Sequence, residues 1–380
     1  MKARAVALAL TTVIVQGLII CQPTSASAAA ACSKRFKSAL VLAGGGVTPG
    51  MALGMMAGAR AAGRKPDVVI STCGASISTA IANAYQDPAK ARAFVRSRQF
   101  HNYLLRNMKV GSTSPAKIGL KLMGSGTDSR RVPSVFSENV IDVPSQLPPL
   151  FRENKFQQGD TRYVTVAARA LFDERHVGRE AQQNRLYQQT FFTDPDTAKS
   201  LRNLPASMKR NFPQSPIYPW TEVRTGVTPL QAARASISDP FLINPAKING
   251  QSYFAGAMDL WPVETAQSIA CDVTVSAPSG DYSYMEDLAV KRGFGFSQKE
   301  RAKQLRGYRG VRWIRTQGAT DYAMDPDIDG LSFTNKIPQD YDQFVQMIDH
   351  QYELGYNRAY QAYSGARPTR NGAAPRRAIQ

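Results

Sequence analysis

Two apolar runs, each ending in a tight corner and leading into a helix of small residues, restrict the fold of this chain more than any other feature. The first, Lys37 to Ala43 (KSALVLA), ends in Gly44-Gly45-Gly46, and a helix then opens at Pro49 with GMALGMMAGARAAG. The second, Val68 to Thr72, is broken by Gly74, and the Ala-rich stretch from Ile77 to Tyr85 has helical composition. Neither run alternates polar with apolar residues, the pattern of strands covered on both faces. A β-α-β-α opening of this kind predicts an α/β fold with a mainly parallel sheet and helices on both faces.

Further along, Arg162 to Phe172 and Arg185 to Thr193 read as two strands joined by a charged loop that holds His176. A turn, a helix and a strand over Asp272 to Ser276 follow, then a last strand at Val311 to Arg315 and a closing helix from Tyr341 to Tyr363. Residues 98–160, with GSTSPAK, GSGTDSRR and VPSQLPP, read as a loop-rich insertion that is irregular and suited to capping a site. The expected organisation is a leader over 1–31, one α/β domain over 32–364 and a basic disordered tail over 365–380.

The leader reading rests on Lys2 and Arg4, the apolar run Ala5 to Ile20, and the small-residue pattern Ala26-Ser27-Ala28. It implies export to a periplasmic, secreted or envelope-associated location. A lipoprotein-type cut before Cys32 is an alternative, although the usual leucine three residues earlier is absent. Cleavage leaves Cys32, Cys73 and Cys271, too few for a disulfide scaffold and without metal-motif spacing; Cys73 and Cys271, both at the edges of strand-like segments, are expected to be unpaired buried thiols, one bridge between them being the alternative. Lys and Arg exceed Asp and Glu by 47 to 29, a net +18. Between Pro88 and Thr127 the chain has eight basic residues, Lys90 to Lys121, and no acid. That field suits an anionic lipid or membrane surface; given export, no nucleic-acid partner is expected.

Three chemistries compete for the glycine triplet. A phosphate-binding P-loop needs a lysine that this turn lacks, and a dinucleotide fingerprint needs one residue fewer than Gly44, Gly46 and Gly50 provide. The third is an oxyanion hole, with N–H donors from Gly44, Gly45 and Gly46 aimed at the charge that forms when a serine attacks an ester. In a parallel sheet the ends of neighbouring strands share one edge, so the triplet and Ser76 would meet there. Gly74-Ala75-Ser76-Ile77-Ser78 fits the G-x-S-x-G nucleophile elbow except at its last position. The competing role for Ser76 is to cap the following helix. Of the three histidines, His101, His176 and His350, an α/β-hydrolase order of Ser, Asp, His would require His350, which reads as a helix-surface residue, so the base would be a carboxylate.

Here the sequence resembles the patatin-like phospholipases over residues 37 to 365. The stretch LVLAGGGVTPGMALGMMAGARAAGRKPDVVISTCGASISTAIANAY resembles that family's oxyanion loop, first helix and elbow. The stretch from Leu230 to Gly280 resembles its second signature, with Arg234-Ala235-Ser236, a Pro-containing loop and a Tyr-x-Asp-Gly-Gly/Ala turn. The resemblance implies a lipid acyl hydrolase with a Ser/Asp dyad and no cofactor or metal, Ser76 being the nucleophile. The chain departs at the chemistry: the loop arginine is missing, Ser78 replaces the last elbow glycine, and Ala255 stands where the dyad Asp belongs. Asp259, and less directly Asp239, are the acids left to serve as base. The alternative expectation is a catalytically inert patatin-fold protein that binds lipid or an envelope partner. Asp325-Pro-Asp327-Ile-Asp329-Gly330 resembles the start of a calcium loop, but Lys336 occupies the position that needs a bidentate Glu.

Overall fold

The structure is a computed structural model. It describes residues 32–44, 46, 48–110, 117, 131–133, 139, 141–145, 147–150, 155–180, 184–239, 242–254, 256–277, 284–318, 325–327, 332–334 and 337–365. The expected leader, the expected tail beyond 365, residue 255 and most of 111–154 lie outside these. The residues from Lys34 onward form one unit.

Its centre is a nine-stranded sheet. β1 (Phe36–Leu42), α1 (Pro49–Ala61), β2 (Val68–Thr72) and α2 (Ala75–Tyr85) form the opening that the sequence predicts. Two helices, α3 (Pro88–Val95) and α4 (Arg98–Asn107), follow, then a short ribbon of β3 (Lys109–Val110) with β4 (Ile141–Asp142). β5 (Arg162–Ala170) lies parallel to β2, and β6 (Tyr187–Phe192) returns antiparallel beside it, with β7 (Glu222–Arg224) outermost. On the other side β10 (Ala270–Ser276) and β11 (Val311–Ile314) extend the parallel set, giving the order β11-β10-β1-β2-β5-β6-β7. A hairpin of β8 (Ala246–Ile248) and β9 (Gln251–Phe254) joins through β9 to β5. Asp325–Asp327, the suspected calcium-loop start, is instead β12, paired antiparallel with β13 (Ser332–Thr334).

The strand period of two decides which core each side chain enters. Leu40, Leu42 and Val69 point to one face, where they pack with α1 and α2; Ala39, Val41, Val68 and Ile70 point to the other, with Trp261, Val263 and Ile269. The first face is closed by the last helix, Tyr341–Ser364, whose approach to α1 is set by glycines. A Cβ on Gly54 would lie 2.1 Å from Tyr352 O, and one on Gly355 would lie 2.1 Å from Met51 O. Backbone thus meets backbone, a contact that any larger residue would force apart.

Part of the basic stretch is neutralised at the same place. Arg92 reaches Asp349 at 3.1 Å and Glu353 at 2.9 Å, and Arg96 reaches Asp349 at 3.1 Å. Arg92 and Arg98 also lie 4.2 Å over the rings of Tyr352 and Tyr341. These cations fix α3 and α4 to the last helix instead of forming an open field. The expected irregular region therefore begins with an ordered helix, α4, whose Phe100, His101 and Leu104 are buried. His101 Nε2 lies 2.9 Å from Pro338 O, and its ring packs on Phe344; His350 is exposed on the last helix. The cysteine expectation needs correction. Cys32 and Cys271 are disulfide-bonded and Cys73 is free: Cys271 stands exposed near the start of its strand, while Cys73 lies half-buried at the sheet edge where β2 ends.

Candidate active site

The two corners meet at the edge of the sheet where β1 and β2 end, as their parallel pairing requires. The residue at the second corner is Cys73. It directly follows β2 and has φ of 48°, a left-handed conformation that a non-glycine residue holds only when its surroundings impose it. Gly74 then turns into α2, and Ser71 and Ala75 supply the small residues two places to either side that a tight elbow needs.

Four hydrogen bonds hold the corner in place. The Cys73 N–H donates to Ser236 Oγ at 2.8 Å, and that hydroxyl donates onward to Val166 O at 2.6 Å. Thr72 Oγ1 accepts the Gly44 N–H at 3.2 Å and donates to Leu260 O at 3.0 Å, joining both corners to the segment after β9. Two residues before Ser236 on the same helix, the buried Arg234 guanidinium donates to Pro144 O at 2.6 Å, Val143 O at 3.1 Å and Asn244 O at 3.0 Å. Burial lowers the Arg234 pKa to about 10, which leaves it charged at neutral pH.

The glycine loop touches this corner. A Cβ on Gly44 would lie 2.2 Å from Cys73 Cβ, so only glycine permits the loop to approach so closely. Gly46 has φ of 78°; Gly45 lies outside the described residues. From the opposite direction β9 runs toward β2 along β5, placing Phe254 opposite Ala168, while a Cβ on Gly256 would lie 3.1 Å from Cys73 N. The described neighbours of position 255 therefore bracket the elbow, and by sequence that position carries alanine.

Ser76 is elsewhere. It lies in the first turn of α2 with no exposed surface, and its hydroxyl donates to Cys73 O and, at 3.4 Å, to Ala233 O. The elbow is thus centred three residues before the serine that the G-x-S-x-G pattern selects. Ser78, the apparent substitute for the last glycine, is buried and donates to Pro49 O at 3.1 Å, holding the start of α1.

Asp259 does not serve this corner either. Its Oδ2 accepts from Gln189 and Ser207, each at 2.8 Å, and its Oδ1 lies 3.5 Å from Arg301. Burial pushes its pKa up to about 6 against the pull of Arg301. These partners make it part of a buried ionic cluster with Glu264 and Tyr308. Asp239, the acid given less weight from sequence, is the one whose charge reaches the corner. Burial, and then the Asp239 charge, push the Cys73 thiol up to about 12, while the Gly74 N–H pulls weakly the other way. Sequence reading missed Cys73 because its pattern required serine. The available signal was strand length: the corner must follow Thr72 directly, where the β-branched run ends.

An α/β sheet with a strained strand-to-helix elbow and a glycine loop packed against it defines the class of acyl hydrolases whose nucleophile stands on such a turn. The family model for patatin-like phospholipases matches residues 40–260, and the chain belongs to that family of lipid acyl hydrolases. The sequence-derived fold class and family agree with this. Among solved structures, VipD from Legionella pneumophila is similar at 12% identity and a TM-score of 0.31, over 83% of this chain and 67% of that one. No curated protein matches the sequence.

Proposed function

We propose that the protein is an exported lipid acyl hydrolase whose nucleophile is the Cys73 thiol. The observation that carries this reading is the left-handed backbone of Cys73 at the end of β2, with Gly44 packed against its Cβ. Cys73 Sγ attacks the acyl carbonyl of a lipid ester and its proton passes to Asp239. The N–H groups of the glycine loop hold the oxyanion, and collapse expels the protonated alcohol to leave a thioester. Water then cleaves the thioester, giving the fatty acid and the free thiol. Two disulfide-bonded cysteines suit the oxidising compartment that export implies, and a disulfide at Cys32 leaves that sulfur no place for a lipid anchor.

The second reading, a lipid-binding protein without turnover, is supported by Ala255 and by the raised thiol pKa. At pH 7 a thiol with pKa about 12 is ionised in only about one molecule in 10^5, so attack depends on a base. Intact-mass spectrometry with a short-chain p-nitrophenyl ester separates the readings. An acyl adduct on the wild type that persists in Ser76→Ala and vanishes in Cys73→Ala supports the thiol nucleophile. Loss in Ser76→Ala alone would return the role to Ser76, and no adduct on any form would support the binding reading.

A further inference from the structure

We infer that the sheet edge carrying Tyr218 and Trp220 is the face that docks on an anionic phospholipid bilayer, an inference that rests on the lipid reading above. Among the described residues, the large apolar side chains that stand exposed are Tyr218 at 39%, Trp220 at 51% and Tyr284 at 71%. The first two lie two residues apart in one loop. Tyr218 N donates to Tyr187 O at 2.7 Å, Pro219 O accepts from Ala206 at 2.8 Å, and Trp220 O accepts from Gln188 at 3.3 Å. The backbone is therefore held at successive points while both rings face solvent, the arrangement of an interfacial anchor and not of a loose loop.

Register fixes where this loop lies relative to the site. β5 runs parallel to β2 with Val166 opposite Thr72, then continues to Ala170, opposite Tyr187 at the start of β6. The loop pairs there through the bridge from Tyr187 to Ile217. Tyr218 and Trp220 thus occupy the same sheet edge as Cys73, beyond its corner, so a surface reached by them lies on the side from which acyl substrate arrives.

Charge selects the partner. Arg185 lies at this edge, and the short helix Ser207–Asn211 brings Lys209 and exposed Arg210 beside the loop. Lys209 is close enough to Arg185 that, after burial, the Arg185 charge lowers its pKa. From Arg185 to Trp220 the acids are Asp194 and Asp196. Both follow the far end of β6, where Asp194 meets Arg162 at 3.6 Å and Asp196 pairs with Arg35. Two interfacial aromatics among these cations match an anionic headgroup layer better than a neutral one.

The test is co-sedimentation of the full chain with vesicles of phosphatidylcholine alone or with added phosphatidylglycerol. The expected result is binding that rises with phosphatidylglycerol and falls with salt. Arg210→Ala should lower it about fivefold, the effect of one lost interfacial charge. Tyr218→Ser/Trp220→Ser should lower it about tenfold or more, as removal of two interfacial aromatics predicts. Thermal melts and ester acylation of Cys73 should match the wild type in both variants. Unchanged vesicle binding by folded variants, or equal binding to both lipids, would overturn the docking face. Loss of acylation in the wild type with lipid-selective binding intact would instead overturn the catalytic reading and leave the face standing, so the two failures are distinguishable.

Discussion

A double-mutant cycle at Gly44 and Cys73 tests whether the glycine loop and the elbow meet as described. In Gly44→Ala the added Cβ lies 2.2 Å from Cys73 Cβ, 2.9 Å from Thr72 O and 3.0 Å from Gly74 N. Relief requires more than an ångström of movement between two corners that hydrogen bonds hold together, and overpacking of that kind costs about 2–3 kcal/mol. Cys73→Gly removes the first of those atoms. It also relaxes a φ of 48°, a gain of roughly 1 kcal/mol that offsets the lost side-chain burial. Alone it should change stability little. In the double variant the worst clash is gone and only the two milder contacts remain, so about 1.5–2 kcal/mol of the Gly44→Ala loss should return as a coupling energy. Urea unfolding of the four proteins at pH 7 measures it. Additive effects within about 0.5 kcal/mol would show that the two corners do not touch, and the active-site geometry would fail with them.

Gly54→Ala should destabilise the protein by about 2 kcal/mol in thermal or urea unfolding, because its Cβ meets Tyr352 O at 2.1 Å; a gain, as at an exposed helical glycine, would refute the close helix contact. Ala255→Asp should raise ester turnover about 10^2-fold, the usual contribution of a general base, and an unchanged rate would refute the reading that Ala255 stands where the dyad Asp belongs. For the buried cluster, burial would raise the Glu264 pKa, but Arg301 overrides it and holds the carboxylate at about 2, below its usual 4.5. Its stabilisation is therefore complete above pH 4.5 and is lost as pH falls toward 2. Asp259 has the opposite sign: raised from 3.8 to about 6, it costs stability as pH rises through that window. The cluster should contribute most near pH 4 to 5. Glu264→Gln should flatten the acid limb of a stability–pH curve and Asp259→Asn the limb above pH 4.

The fold was legible because burial on both faces writes itself into composition. Uninterrupted runs such as ALVL and VVI have no place except a covered parallel strand, and the small residues of α1 state how near another helix must come. The chemistry was less legible because an elbow is defined by backbone conformation, and a left-handed φ at Cys73 leaves no mark in a regular expression. The G-x-S-x-G pattern fits a serine with glycine two places before it, three residues beyond the corner. Asp259 was misread for a related reason: nearness in sequence to the expected dyad position says nothing of partners such as Gln189 and Ser207, which come from distant segments. Asp239 drew less weight because it sits at the end of a helix before a proline, where a turn explains it. Only the fold brings its charge to the thiol.

The substitutions at the corner gain meaning when taken together. A thiol ordinarily needs a weaker base than a hydroxyl does, since its intrinsic pKa is about 8.5, so Cys73 by itself would compensate for alanine at position 255. Here burial and Asp239 remove that advantage and push the thiol up to about 12. In the proposed reaction the same carboxylate that disfavours a resting thiolate accepts its proton during attack, so removing it should have two opposed effects. Asp239→Asn should lower the Cys73 pKa, measurable as faster alkylation by iodoacetamide near neutral pH. It should also slow acylation by esters, where departure of the alkoxide needs the proton back. Faster alkylation with slower acylation is the signature of a base; if both rates rise together, Asp239 is only a charge beside the thiol and the proton goes elsewhere.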